Sequence, residues 1–180
     1  MHKLQVLRRR EFGDPLLRGR ARRLTTKEIK SANLKRLIRN MYYTMRRVGG
    51  VGLAAPQIGY GIQLLTVHIP PSRDEAGALD HLTMINPKVI SASRNKNTDW
   101  EGCLSLPSIR AKVPRATSIQ VEWHNDQGEL ERARFSNFQA RVIQHEIDHL
   151  HGVLFTDRVV DMKTLISVKE YEKLMDKMSG

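Results

Sequence analysis

Two histidines and a glutamate at positions 145–149 have the residue types and spacing of a hydrolytic metal site. The segment reads His-Glu-Ile-Asp-His. On a helix, His145 and His149 lie one turn apart on the same face, so both imidazoles can bind one ion. Glu146 lies about 100° further round the helix, which places its carboxylate beside the ion, where it can deprotonate a metal-bound water. The pattern predicts metal-assisted hydrolysis; the alternative is two ordinary helix histidines.

A third ligand is needed, because a catalytic ion commonly takes three protein ligands and keeps a fourth position for water. His151 points to a different side of the helix, and no histidine follows it. The candidate is Cys103, the only cysteine, in the segment Trp-Glu-Gly-Cys-Leu-Ser-Leu-Pro at 100–107. A thiolate with two imidazoles suits Zn, Fe or Co better than Mg or Ca. From the residues alone, however, a small buried side chain remains the stronger interpretation of Cys103.

The elements that must position these residues are indicated by apolar periodicity and capping residues. Three helices are predicted: one from a capping box at Thr25 to the stop at Gly49, one from Asn137 to about His151, and a terminal one at 161–180. Strand patterns lie between the first two helices, at 62–69, 82–90, 119–124 and 129–135, with a polar loop at 70–78. Strands joined by hairpin-length connections and flanked by helices indicate an α+β fold. Without repeats or long linkers, residues 1–180 are expected to form one domain.

Basic residues are concentrated in the N-terminal quarter. Residues 1–47 hold 15 Lys or Arg against 3 Asp or Glu, whereas residues 48–180 hold 15 against 16. Clustered Lys and Arg displace counterions from phosphates, so contact with RNA is one interpretation, and a solvated surface is the commoner one.

No apolar run approaches the roughly 20 residues that span a bilayer, so no membrane segment is predicted. The first residues also lack the apolar stretch of a secretory signal, and we therefore expect a cytoplasmic protein.

Three segments together resemble the motifs of the peptide deformylase family. They are Gly-Val-Gly-Leu-Ala-Ala-Pro-Gln at 50–57, Glu-Gly-Cys-Leu-Ser at 101–105 and Gln-His-Glu-Ile-Asp-His-Leu at 144–150, in the family order and at compatible spacing. Weaker similarity at 14–18 and 110–115 extends the resemblance to about residues 4–160. The loop at 70–80 looks longer than in compact members, and residues 162–180 match no family segment.

The resemblance implies a metal-dependent hydrolase that removes the formyl group from the N-terminal formylmethionine of nascent polypeptides and releases formate. It implies that Cys103, His145 and His149 bind one divalent ion, most often Fe(II), with Zn, Ni or Co as alternatives. Glu146 would then activate the metal-bound water, while the Gln57 side-chain amide and the Leu104 backbone amide stabilise the oxyanion. The residues implied in substrate binding are Val51, Gly52, Arg110, Phe138 and Val142.

The expected α+β fold has antiparallel β-sheets packed around a central metal-binding α-helix, with a helix near each end of the chain. Leu104 resembles bacterial members rather than the animal organelle form, which favours a bacterial cytoplasmic enzyme. The expected partners are formylmethionyl nascent peptides and, transiently, the ribosome through the basic N-terminal region. Two alternatives remain open: a zinc peptidase, which the helical motif alone also fits, and a non-catalytic ribosome- or RNA-binding module.

Overall fold

The computed structural model of the chain describes residues 4–70 and 79–179. The strands are β1 (Gly52–Ala54), β2 (Leu64–Ile69), β3 (Leu79–Ala92), β4 (Lys96–Cys103), β5 (Leu106–Ala116), β6 (Ser118–His124), β7 (Leu130–Ser136) and β8 (Ile166–Ser167). The α-helices are α1 (Thr26–Ile29), α2 (Ala32–Arg47), α3 (Asn137–Leu150) and α4 (Val168–Ser179). Short 3-10 helices lie at Pro15–Arg18, Ala55–Ile58, Phe155–Arg158 and Met162–Thr164.

The strands form two antiparallel sheets. One has five strands in the order β1-β2-β3-β6-β7, and the other has three in the order β4-β5-β8. The predicted α+β fold with antiparallel sheets is therefore confirmed. No helix in the described part of the chain combines the length and the apolar character needed to cross a membrane.

The central helix α3 packs against the five-stranded sheet, and α2 covers other side chains of the same sheet. Alternating residues of β2 explain this arrangement: Leu65 and Val67 belong to the apolar cluster beside α3, while Leu64 belongs to the cluster beside α2. A third cluster, under the three-stranded sheet, includes Cys103 and Phe155. The helix that carries the histidine motif is thus held between the two sheets.

The first predicted helix is divided in two. The capping box at Thr25 starts only the single turn α1, because Ser31 adopts an extended backbone and its side chain accepts a hydrogen bond from the Leu34 N–H, which starts α2. Helix α2 then ends as predicted before Gly49, whose φ of 71° is the left-handed conformation that glycine accommodates without steric cost.

The terminal helix is shorter than predicted. It begins at Val168 and not at residue 161, because residues 162–164 form a 3-10 turn and residues 166–167 pair with β5 as a strand. Strands β1, β4 and β5 were not predicted, although β4 carries the cysteine motif. The loop predicted at 70–78 lies, apart from Pro70, outside the described residues.

Candidate metal centre and active site

The fold brings Cys103, His145 and His149 together, as the family resemblance implied. One ligand atom of each lies within 4.8 Å of those of the other two, and all three residues are buried. Cys103 is the last residue of β4, and its Sγ lies 3.2 Å from Nε2 of His149. The two imidazoles come from successive turns of α3, with ring centroids 5.0 Å apart. Within residues 4–70 and 79–179, these are the only three His, Cys, Asp or Glu side chains grouped closely enough to hold a metal ion.

The first histidine is oriented by Glu101, a residue that sequence reasoning did not assign to the site. Nδ1 of His145 lies 2.9 Å from Oε2 of Glu101, so a proton on Nδ1 can be donated to the carboxylate while Nε2 stays free to bind metal. Burial opposes the charge on Glu101, but hydrogen bonds from His145 and Arg115 nevertheless hold its pKa well below the usual range. The carboxylate therefore remains ionised beside the histidine.

Glu101 belongs to a buried network of charges between the strands and α3. Arg115 donates to both carboxylate oxygens of Glu101, at 2.8 and 3.0 Å, and to Asp148 at 2.5 Å. Arg141 donates to Glu101 at 2.7 Å, and Arg158 donates to Asp148 at 2.8 Å. Asp148 thus makes ion pairs rather than joining the metal ligands. Since the opposite charges are paired, their burial is compensated, and the network joins the cysteine strand to the histidine helix.

His149 lies in a different environment. Burial and the neighbouring His145 lower the pKa of His149 well below its usual value. The neutral imidazole is the form that binds metal, so this environment favours a ligand role.

Glu146 follows His145 on α3, and the charges of the two side chains interact. It is buried, and its Oε2 has no hydrogen-bond partner among the described residues. Burial raises the pKa of Glu146 to about 7. A carboxylate that titrates near neutrality and keeps an unpaired oxygen has the properties of a general base.

The backbone of Gly52 passes directly against Glu146. A β-carbon at Gly52 would overlap the Glu146 carboxylate, so only glycine leaves room for it. The glycine of the first motif is therefore required for packing at the Glu146 carboxylate, besides being a candidate for substrate contact.

The Gln57 side chain is buried beside the metal ligands. Its Oε1 accepts a hydrogen bond from the Ala54 N–H at 2.8 Å, which turns its Nε2 towards Cys103 Sγ, 3.4 Å away. Leu104 follows Cys103 in the turn between β4 and β5, and its side chain lies against Gly50. Both predicted oxyanion residues thus lie next to the cysteine ligand in space or in sequence.

The five predicted substrate-binding residues separate into two groups. Val142 belongs to the apolar cluster beside α3, and the half-buried Val51 and Phe138 pack against that cluster. Gly52 adjoins Val51 in sequence. Arg110 lies elsewhere, on β5, where a β-carbon at Gly102 would overlap its guanidinium.

The donor set fits a borderline divalent ion such as Fe(II), Zn or Co. A thiolate and two imidazoles are the ligands that these ions prefer, and the cluster is buried apart from bulk water. The unpaired Oε2 of Glu146 gives the same centre a group that could hold a water.

The sequence profile of the polypeptide deformylase family matches residues 7–165 of the chain. Peptide deformylase 2 of Nostoc sp. is 38% identical over 169 residues, which cover 93% of each chain. Many further relatives carry the same family name.

Solved structures of the family also resemble this fold. A class I type b peptide deformylase from Acinetobacter baumannii, bound to Met-Ala-Ser, is 34% identical and superposes with a TM-score of 0.83, covering 87% of this chain and all of that one. The peptide deformylase from Thermotoga maritima is 37% identical, with a TM-score of 0.77 over 89% of this chain and all of that one.

Proposed function

Because the chain belongs to the peptide deformylase family, whose members remove the formyl group from N-terminal formylmethionine, we propose that Glu146 is the general base of this reaction. The observation that carries the proposal is the Glu146 carboxylate, buried within interaction range of the ligand His145 with one oxygen unpaired. We further propose that residues 1–180 act as one catalytic domain.

Hydrolysis needs a nucleophile, a stabilised oxyanion and a proton for the departing amine. A divalent ion held by Cys103, His145 and His149 would supply a Lewis acid and a water of lowered pKa. Glu146 accepts a proton from the water that attacks the formyl carbon. When the carbon–nitrogen bond breaks, Glu146 delivers that proton to the nitrogen, so formate and a free amino terminus are released.

Gln57 and Leu104 are the proposed oxyanion donors. The Gln57 Oε1 is held by the Ala54 N–H, and Nε2 donates to Cys103 Sγ at 3.4 Å and to Ser105 Oγ at 3.3 Å, so a substrate oxygen would replace one of these two acceptors. The Leu104 N–H follows the cysteine directly in the chain. Removing one such donor in other enzymes lowers kcat about 10²- to 10³-fold.

The methionine side chain of the substrate is proposed to bind against Val51, Phe138 and Val142. These apolar side chains share one cluster, and Val142 lies one helical turn before Glu146. Gly52 provides the adjoining backbone. Arg110, a cation near the cysteine motif, is proposed to bind the peptide that follows the methionine.

Fe(II) is the proposed native metal. A negative thiolate ligand lowers the effective charge of the ion. The pKa of a bound water would therefore fall less than at an ion held by three neutral imidazoles, and the identity of the metal then affects the rate. Zn, Ni and Co fit the same donor set.

The basic N-terminal region is proposed to contact the ribosome, where formylated chains emerge, and the enzyme is accordingly proposed to act in the cytoplasm. On α2, Lys35, Arg39 and Arg46 are exposed at helical spacing, and Arg36 and Arg47 are exposed beside them. None of these five forms an ion pair with another described residue, so their charges are available for phosphates.

Formate release from formyl-Met-Ala-Ser tests the proposed reaction. The wild type is assayed metal-free and with Fe(II) or Zn, alongside Glu146→Gln and the exposed control Glu170→Gln. We expect metal-dependent turnover, highest with Fe(II), that Glu146→Gln lowers about 10²- to 10⁴-fold without loss of metal and that the control retains. No formate from the Fe(II) protein would refute the function, and cleavage of unformylated Met-Ala-Ser instead would indicate a zinc peptidase.

A further inference from the structure

The C-terminal helix α4 packs onto the strand that carries Arg110. The short strand β8 pairs with β5, placing Ile166 opposite Arg110 and Ser167 opposite Ile109, and α4 begins immediately afterwards. The family profile ends at residue 165, so both β8 and α4 lie beyond the matched segment. An element beyond the profile therefore lies beside a proposed substrate-binding residue.

One side chain of α4, Tyr171, makes the contact with Arg110. The Arg110 Cζ lies 6.0 Å from the centroid of the Tyr171 ring, at the distance of a cation–π interaction. The same ring meets Trp100 of β4 edge to face, with centroids 5.4 Å apart. Lys112 Nζ lies 5.4 Å from the other aromatic ring, that of Trp100. Tyr171 and Trp100 thus contact the two cationic side chains of β5, Arg110 and Lys112 respectively.

The Arg110 guanidinium also lies close to Gly102. A β-carbon at Gly102 would overlap the guanidinium, so Arg110 lies flat against the backbone of the residue that precedes Cys103. Its Nη1 donates to the Ile109 carbonyl at 2.9 Å. Arg110 has no carboxylate partner among the described residues, so its remaining donors are available for an oxygen acceptor from outside the chain.

We propose that Tyr171 is a positioning residue for substrate recognition: it holds the Arg110 guanidinium over Gly102, where the guanidinium donates to a carbonyl oxygen of the peptide that follows formylmethionine. The proposal rests on the proposed deformylase function. It gives α4 a role in peptide binding that the chemistry at Glu146 does not require.

The physical reason is the conformational freedom of arginine. A free Arg side chain loses much rotamer entropy when it binds, and an aromatic face that fixes the guanidinium beforehand reduces that loss. The effect belongs to binding of the downstream peptide, since Tyr171 and Arg110 contact each other and Trp100, Gly102 and Ile109, not the metal ligands. A substrate that ends at methionine should therefore be insensitive to Tyr171.

The test compares formyl-Met-Ala-Ser with formyl-methionine amide, using Fe(II) protein. We expect Tyr171→Ala and Tyr171→Leu to raise KM for the tripeptide roughly three- to tenfold with little change in kcat, as expected for loss of one cation–π contact. KM for the amide should not change. Tyr171→Phe keeps the ring and should restore wild-type values. Leu174→Ala, an exposed position on the same helix, is the matched control.

A double variant decides whether Tyr171 acts through Arg110. In Arg110→Ala, the further change Tyr171→Ala should have no additional effect on KM for the tripeptide. Additive effects, or equal effects on both substrates, would overturn the proposal while leaving the deformylase assignment intact. Wild-type protein that releases formate from neither substrate would instead refute the proposed function. Metal content and Tm, measured for each variant, identify any general damage to the fold.

Discussion

The Glu101 carboxylate contacts the imidazole of the first histidine ligand: its Oε2 lies 2.9 Å from Nδ1 of His145. Through its other oxygen the same carboxylate pairs with Arg115 and Arg141, both of which are buried. A single acidic side chain therefore both orients a metal ligand and neutralises buried cations. These two tasks give Glu101 a measurable effect on metal affinity and on stability.

Replacing Glu101 by Gln should weaken both properties. The amide still accepts a hydrogen bond from His145, but the buried Arg141 loses its carboxylate partner and the buried Arg115 keeps only Asp148, at a cost of about 3–5 kcal/mol. We expect Tm to fall by roughly 10 °C and metal affinity to fall about 10- to 100-fold. Thermal unfolding and competition with a chelator measure the two effects.

The matched control is Glu122→Gln, which removes the partner of Arg132 at an exposed ion pair. Solvent screens such surface pairs, so they contribute little to stability and Tm should change by no more than a few degrees. Equal losses in the two variants would show that the Glu101 network has no special importance.

Gly52→Ala should impair catalysis without removing the metal. The added methyl group overlaps the Glu146 carboxylate, so the proposed base must move, whereas Cys103, His145 and His149 keep their positions. We expect kcat to fall about 10²-fold or more, because a displaced general base loses its contribution to the rate. Formate release and metal analysis on the same sample separate the two effects.

Gly61→Ala is the corresponding control. A β-carbon there would lie 3.7 Å from the Leu16 Cδ1, an ordinary contact, and the backbone needs no glycine. It should retain activity. A fully active Gly52→Ala protein would contradict the packing argument.

Cys103→Ala should lose the metal. Two imidazoles alone leave the ion with one protein ligand fewer than a catalytic site commonly provides. After gel filtration, the variant should hold at least about tenfold less metal than wild type, and formate release should fall in proportion. The control is Ser108→Ala, an exposed position on β5. Stoichiometric metal in Cys103→Ala would show that another residue supplies the third ligand.

The part of the site that could be predicted from sequence is the part determined by local geometry. His145, Glu146 and His149 lie within one helix, so helical spacing alone places two imidazoles together. The Glu101 network depends on tertiary structure: Arg115 is 14 residues from Glu101 and 33 from Asp148 along the chain. A hint was present, since Glu101 stands two positions before Cys103, on the same strand.

The strands show a similar division. Apolar side chains are frequent or alternate with polar ones at 62–69 and 119–124. The ends of β2 and β6 were therefore predicted to within two residues. By contrast, β4 begins with the exposed polar residues 96–99, and β5 contains Pro107 and Pro114. Neither has a strong strand pattern of its own. Their pairing with each other, from Lys96 opposite Ala116 onwards, stabilises them, and single-sequence periodicity does not detect such pairing.

Reversing four charges on α2, in a variant with Arg36, Arg39, Arg46 and Arg47 all changed to Glu, should abolish the proposed ribosome contact while leaving the hydrolysis of short formyl peptides unchanged. The four residues are exposed and lie outside the apolar clusters. Each phosphate contact releases counterions, so wild-type co-sedimentation with ribosomes should weaken steeply with salt. The control reverses the same number of exposed charges elsewhere, at Lys88, Arg94, Lys96 and Lys163. The two variants carry the same net charge. Loss of ribosome co-sedimentation in the α2 variant alone would therefore locate the contact on α2. Equal loss in both variants would indicate general charge attraction instead.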